Sequence, residues 1–365
     1  NVTVNANGTE KIGGVASSPV TLSTEGQSVT LVYVDSTQGW VNTMDSTSNV
    51  RGSAFISATV SGACNTLATA PCCANTKIAT FLGPGTFCVS ATSGCAANNL
   101  VSYMVVAGGG GSGGDLAGGG GAGGFREYKS PVTPYTASPL DGNPGGTAVT
   151  VSATPYPIGV GGAGARGTTP SGIVEGCRGS PSTFSTITST GGGAGMVRTA
   201  SETGPPAPAK SPGGSGGGGS YNNGASGTGN TPPVSPAQGK NGGTTPGSSD
   251  AGAGGGGGAT VAGGAGAGPT ATQGAGGAGA TTSISATPTA YAGGGGGGAW
   301  SAPSSGGAGG AGGGGAGGGA GSPGTHPGTS GLDNTGGGGG GGNASGAAIG
   351  GAGGSGIIII RYKFQ

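Results

Sequence analysis

Glycine in this chain comes in unbroken runs, and those runs limit its possible folds more than any other feature. Gly108–Gly111, Gly118–Gly121, Gly216–Gly219, Gly254–Gly258, Gly293–Gly298 and Gly336–Gly342 have no side chain to bury. Consecutive glycines break the strict third-residue rule of collagen. No stretch shows the apolar period of an amphipathic helix. What remains is an extended threefold helix of the polyproline II type, rising about 3.1 Å per residue, so that a six-glycine run spans about 19 Å. Such a helix makes no internal hydrogen bonds, and every N–H and C=O points outward. Without Cβ atoms, neighbouring helices approach closely enough to bond one another on all sides. Ordering a residue costs about 1–2 kcal/mol, and more for glycine. A net hydrogen bond returns about 0.5–1.5 kcal/mol. An isolated run therefore does not persist, and a cooperative bundle anchored at its ends is expected.

Composition supports order without an ordinary core. Glycine (99) and proline (24) make up about a third of the 365 residues. In an unperiodic chain that level signals low complexity or disorder. Disorder by solvation usually needs high net charge, whereas only 6% of these residues are charged and the formal net charge is +1. The 12 Lys and Arg are spread thinly and form no basic stripe for phosphates, which excludes nucleic acid as a partner. No apolar run approaches the roughly 20 residues of a spanning helix, so no membrane insertion is expected. There is no charged n-region followed by an apolar h-region, and Asn1 reads as a processed or truncated start.

The expected fold class is all-β and irregular, in two parts. Residues 1–99 have conventional composition and strand signals: Val2 and Val4, Val20 and Leu22, Val29–Val34, Phe55–Val60, Ile78–Leu82 and Phe87–Val89. Asn7-Gly8, Glu25-Gly26, Gln38-Gly39 and Gly83-Pro84-Gly85 separate them as turns. This part reads as a small β module for attachment or trimerisation, with Trp40 in its core. Residues 100–365 read as a glycine-rich domain of packed polyglycine II helices with short strands. Apolar pieces run straight into glycine at Tyr103–Val106, Phe184–Thr190 and Ser283–Tyr291. Strands 100–106 and 356–363 are expected to lie side by side and close the domain. The four isoleucines Ile357–Ile360 suit a strand buried on both faces.

Few residues carry chemistry, and no enzyme, cofactor or metal site is expected. The one histidine, His326, stands in Gly324-Thr325-His326-Pro327-Gly328 and has no neighbouring ligands in sequence. G-x-G-x-x-G recurs through composition alone, and Gly239-Lys240 is followed by Asn241, so neither nucleotide motif is met. Cys64, Cys72, Cys73, Cys88 and Cys95 cluster while Cys177 stands apart, without a C-x-x-C pair. A Cys88–Cys95 staple across a hairpin and free thiols are both compatible with the sequence. Tyr221, Tyr291 and Trp300, with Tyr135 and Tyr156, sit beside glycine runs. Aromatics at loop tips suit sugar or protein receptors, and the alternative is that they cap the ends of the lattice. Tyr221, Tyr291, Trp300 and His326 are the receptor-binding candidates.

The segments Thr21–Trp40, Phe81–Ser90 (FLGPGTFCVS), Tyr103–Gly114 (YMVVAGGGGSGG), Ser182–Gly195 and Gly353–Gln365 (GGSGIIIIRYKFQ) together resemble the glycine-rich virion proteins, usually called tail fibres, of tailed phages of marine and freshwater cyanobacteria. The resemblance implies a virion location, polyglycine-helix packing, and receptor binding by loops at one end. It also implies other virion proteins and a host cell-surface glycan or protein as partners, and it carries over no catalytic residues. A homotrimer is expected by analogy with long viral fibres. The rival reading is a capsid or tail decoration protein, or an extracellular filament subunit, with a purely structural role. A silk-like protein is disfavoured by the unique apolar inserts.

Overall fold

A computed structural model describes residues 2–16, 19–22, 28–45, 55–71, 73–167, 174–198, 210–221, 225–246, 252–267, 273–300, 305–319, 326–344 and 349–365. Among these residues the regular structure is nearly all sheet, with one short 3-10 turn at Ala96–Asn99. The chain forms two compact units, one of Asn1–Phe55 with Ser93–Cys95 and one of Ile56–Thr92 with Ala96–Gln365. The division after Phe55 differs from the expected boundary at 99/100. Within residues 57–91, the strands at 73–81 and 85–91 also pair with strands at 357–363 and 155–159, distant partnerships that local pattern does not encode.

The first unit pairs β1 (Val2–Val4) with β4 (Val20–Leu22). Its second sheet contains β2 (Lys11–Ile12), β3 (Val15–Ala16), β5 (Val29–Asp35) and β6 (Gly39–Asp45), in the order β3-β2-β6-β5. The β5–β6 turn is set by the Asp35 carboxylate, which accepts the N–H groups of Thr37 (2.8 Å) and Gln38 (2.7 Å). Trp40 is half-buried rather than central. Its indole N–H donates to Glu10 Oε2 (2.9 Å), and its ring meets Tyr33 edge-on at 5.6 Å.

The second unit is built around a two-sheet sandwich. One sheet contains β7 (Ser57–Ser61), β10 (Gly85–Ala91), β14 (Pro155–Gly159), β15 (Ser182–Phe184) and β16 (Ile187–Ser189), in the order β16-β15-β14-β10-β7. The other contains β8 (Thr66–Ala70), β9 (Cys73–Phe81), β11 (Leu100–Val106), β12 (Phe125–Tyr128) and β19 (Ile357–Lys363), in the order β12-β11-β19-β9-β8. There β13 (Val149–Thr150) also pairs with β11. Phe81, Phe87, Val105, Phe184, Ile358 and Ile360 fill the space between the sheets. A filled apolar centre thus accompanies the glycine runs, although the composition suggested that main-chain bonding alone would replace one.

The two closing strands are neighbours, as their sequence suggests. β11 and β19 run antiparallel, from Ser102 opposite Arg361 to Val106 opposite Ile357. Strand residues alternate faces. Tyr103, Val105, Ile358 and Ile360 therefore enter the sandwich, while Met104, Val106, Ile357 and Ile359 enter a second apolar cluster. Phe125, Ile284 and Tyr291 complete that second cluster, and Tyr291 belongs to the ribbon of β17 (Ala280–Thr282) and β18 (Thr289–Tyr291).

The glycine runs form neither α-helix nor sheet ladder, and their amides bond between runs. In Gly293–Gly298, Gly293 and Gly296 donate to Gly312 and Gly315, Gly294 and Gly297 to Gly277 and Gly274, and Gly295 and Gly298 to Gly120 and Ala117. The carbonyls of the same residues accept in pairs from Gly338 and Gly341, Gly310 and Gly307, and Gly256 and Ala253. All these bonds are 2.8–3.2 Å long. Residues three apart bond the same neighbour, and six neighbouring segments surround the run. Segment 117–124 is likewise bonded to six segments, 336–342, 190–196, 254–257, 295–298, 215–218 and 107–110. A row through the lattice passes from 161–167 to 108–113, 117–124, 252–258 and 261–267, linked by Gly164 N to Gly109 O, Gly110 N to Gly121 O, Ala122 N to Gly257 O and Gly255 N to Gly264 O. The segments are too close for side chains. A Cβ on Gly119, Gly295 or Gly297 would lie 2.0–2.1 Å from a carbonyl oxygen of the adjacent segment.

Candidate recognition site

The lattice has two dissimilar ends. At one, segments pass directly into β11, β12, β16, β18 and β19. At the other they end in polar or aromatic residues that follow the last bonded glycines. Ser112 follows Gly108–Gly111, and its hydroxyl donates to Gly118 O (2.6 Å). Asn343 follows Gly336–Gly342, and its side-chain amide donates to Gly319 O. Thr245 Oγ1 donates to Ser220 O (2.8 Å) next to the run Gly216–Gly219. These caps were missed in the sequence, although Ser112, Ser220 and Asn343, each directly after a glycine run, are a visible signal for them.

Tyr221 and Trp300 meet at this end. Each follows a lattice segment, 216–219 and 293–298, and segment 252–258 lies against both through Gly254 N to Gly219 O and Ala253 N to Gly298 O. Their rings stack with centroids 4.6 Å apart and an interplanar angle of 5°. Tyr221 is the buried member of the pair (8% exposed), and Trp300 is half-buried. His326 is exposed at the same end. Its carbonyl abuts Gly318, which accepts the N–H of Ala299 beside Trp300. Asp115 and Arg198 form a partly exposed ion pair (3.2 Å) close by, at the turn that precedes Ala117. Exposed pairs of this kind contribute roughly 0–1 kcal/mol.

The other sequence candidates lie elsewhere. Tyr291 precedes the run that Trp300 follows, so the run separates them, and Tyr291 is a core residue packed with Ile357 and Ile359 (5% exposed). It is thereby removed from the exposed candidates. Tyr135 packs against the second apolar cluster, with the Arg361 guanidinium 5.5 Å and the Lys129 ammonium 5.8 Å from its ring centre, and burial pushes its hydroxyl pKa up. Tyr156 is partly buried against the sandwich core, its ring 6.1 Å from Phe184 and its hydroxyl accepting Ser152 N–H (2.8 Å). Cys88 and Cys95 are both free thiols, so the staple is not formed; Cys64 and Cys177 are free as well, and Cys72 lies outside the described residues.

One buried carboxyl group serves the structure. Glu127 is almost fully buried on the β12 face that carries Phe125, and desolvation pushes its carboxyl pKa up. It accepts Ser138 N–H (2.9 Å) and the Thr282 hydroxyl (2.5 Å), which fastens the β17–β18 ribbon to the sheet. Among the described residues no group of three or more His, Cys, Asp or Glu could hold a metal ion. No helix there is long and apolar enough to cross a membrane.

These features define a class: an all-β protein whose apolar sandwich closes a lattice of glycine segments bonded through their main chains. Residues 82–363 match the glycine-rich domain, and the chain belongs to that family. No curated protein matches the chain.

Proposed function

We propose that this chain is a non-enzymatic virion-surface adhesin of the tail-fibre kind, which offers the lattice end bearing Tyr221, Trp300 and His326 to a host-cell glycan or protein. In this reading the glycine segments are polyglycine II helices, held at one end by the sandwich and presenting polar and aromatic residues at the other. The observation that carries it is the Tyr221–Trp300 stack, with Trp300 half-exposed at the end away from the sandwich. Stiffness supports the role, because a segment bonded to six neighbours holds its end residues in place at little entropic cost on binding. The partners are further copies of the chain, other virion proteins and the host receptor.

A second reading, decoration or filament formation without a receptor, is favoured by the burial of Tyr221, which makes the stack a cover for the segment ends. Binding of the purified chain to host cells separates the two. The adhesin reading expects saturable binding and a loss of about tenfold or more for Trp300→Ala, the scale of a recognition residue contributing about 1.4 kcal/mol or more. The midpoint of thermal unfolding would change little. A variant that melts earlier yet binds equally well would make Trp300 a cap, and absence of binding by the wild-type chain would favour decoration.

A further inference from the structure

We propose that outward side chains on the outer glycine segments fix the width of the lattice and stop a second copy of this chain from extending it sideways. Pure glycine lies inside. Every residue of Gly108–Gly111, Gly118–Gly121, Gly216–Gly219, Gly254–Gly258, Gly293–Gly298 and Gly336–Gly342 is buried. Interrupted segments lie outside and follow one another as 261–267, 274–279, 305–311, 314–318, 326–331, 349–355, 161–167 and 174–180. Gly264 N to Ala275 O, Gly276 N to Ala308 O, Gly317 N to Gly307 O and Thr329 N to Ala316 O join the first five. Gly331 N to Ala352 O, Gly353 N to Gly164 O and Cys177 N to Ala165 O join the rest.

A threefold helix returns to the same face at every third residue. The outer segments keep that period. Gly161, Gly164 and Gly167 are buried while Ala163 and Arg166 are exposed, and Gly307 and Gly310 are buried while Ser305, Ala308 and Ala311 are exposed. In segment 326–331, Gly328 and Gly331 are buried and Thr329 and Ser330 are exposed. A Cβ on inward-facing Gly307 or Gly310 would lie 2.1 Å from a carbonyl oxygen of segment 274–279, so the lattice spacing has no room for one. The same exclusion works outward, because a further segment cannot reach hydrogen-bonding distance across a face that bears Cβ atoms. The exposed residues include Ala, Ser, Thr, Arg and Cys, and what they share is the Cβ rather than charge or polarity. Where a glycine is exposed, as at Gly162, Ala163 follows it directly. A face of glycine alone would turn unshielded N–H and C=O groups outward, like the open edge of a sheet, which templates pairing with another chain. Sheet edges are blunted with charge, proline or bulges. Here a methyl group suffices, because the contact inside the lattice admits no extra carbon.

Sedimentation velocity of the full chain over a concentration series, with amide hydrogen exchange, tests this role. Ala308→Gly, Ala311→Gly and Ala316→Gly together clear the exposed side chains from the middle of two bonded outer segments. The triple glycine variant is expected to sediment faster than the unaltered chain as concentration rises, with exchange of residues 305–318 slowing in step. Serine at the same three positions is expected to leave both readouts as they are in the unaltered chain. A glycine variant that behaves as the unaltered chain does, with slow exchange kept in Gly293–Gly298, would overturn the proposal. Equal association of the serine variant would overturn it too. If the glycine variant fails to fold, the unaltered chain decides. Exchange of residues 305–318 that slows with its concentration overturns the proposal, and exchange independent of concentration upholds it.

Discussion

Gly295 shows why side chains are excluded from the lattice. Its N–H donates to Gly120 O (2.9 Å), its carbonyl accepts from Gly256 N (2.8 Å), and a Cβ would stand 2.1 Å from Gly339 O. The atom in the way is main chain, itself bonded to further segments, so it yields only by moving the lattice. Gly295→Ala is expected to lower stability by at least the roughly 1–3 kcal/mol of ordinary overpacking. Gly162 is exposed, with nothing within 4 Å of a Cβ, and Gly162→Ala is expected to stay within about 0.5 kcal/mol of the unaltered chain. Denaturant midpoints of the two variants check the contrast, and equal midpoints would refute the close-approach argument. At this scale part of the pattern was open to reading. Exposed Ala308 and Ala311 stand three apart while Gly307 and Gly310 are buried, so a Gly-Gly-Ala spacing turns alanine outward. The difference between Tyr291 and Trp300 was not open to reading, because nothing local says which end of a glycine run faces the sandwich.

Strand β19 acts as a two-sided wedge. Ile358 (0% exposed) faces the sandwich and Ile359 (1% exposed) faces the second cluster. Truncating a buried isoleucine leaves a cavity on whichever side it faced. Ile358→Ala and Ile359→Ala are therefore each expected to cost about 2–5 kcal/mol. A near-neutral result for either, by chemical denaturation, would mean that one face is solvated. The run of isoleucines signalled this burial directly, and the pairing of β11 with β19 followed from their positions at the two borders of the glycine-rich region. The placement of β7–β10 did not follow. Phe81 and Phe87 read as members of an N-terminal module, yet β9 pairs with β19 and β10 with β14.

Across the whole molecule, hydrogen bonding carries an unusual share of the ordering. Unfolding exposes apolar surface, which raises heat capacity, and peptide surface, which lowers it. A chain dominated by side-chain-free segments exposes a high proportion of peptide. Calorimetry is therefore expected to give an unfolding heat-capacity change per residue below the usual 12–15 cal/mol/K or so. A value within that range would indicate that ordinary apolar burial dominates after all.

The amino-acid sequence determined by itself that no conventional helix or collagen forms, that glycine segments bond one another through the main chain, and that the isoleucine strand is buried on both faces. Each of these follows from local chemistry: the absence of Cβ, the spacing of glycines, and a run of branched apolar residues. Only the tertiary structure decided which segments are neighbours, where the first unit ends, and which aromatics reach the outward end of the lattice. Glycine segments are chemically alike, so their mutual arrangement is set by the distinct strands and turns that join them. That arrangement becomes defined only when distant parts of the chain pack together.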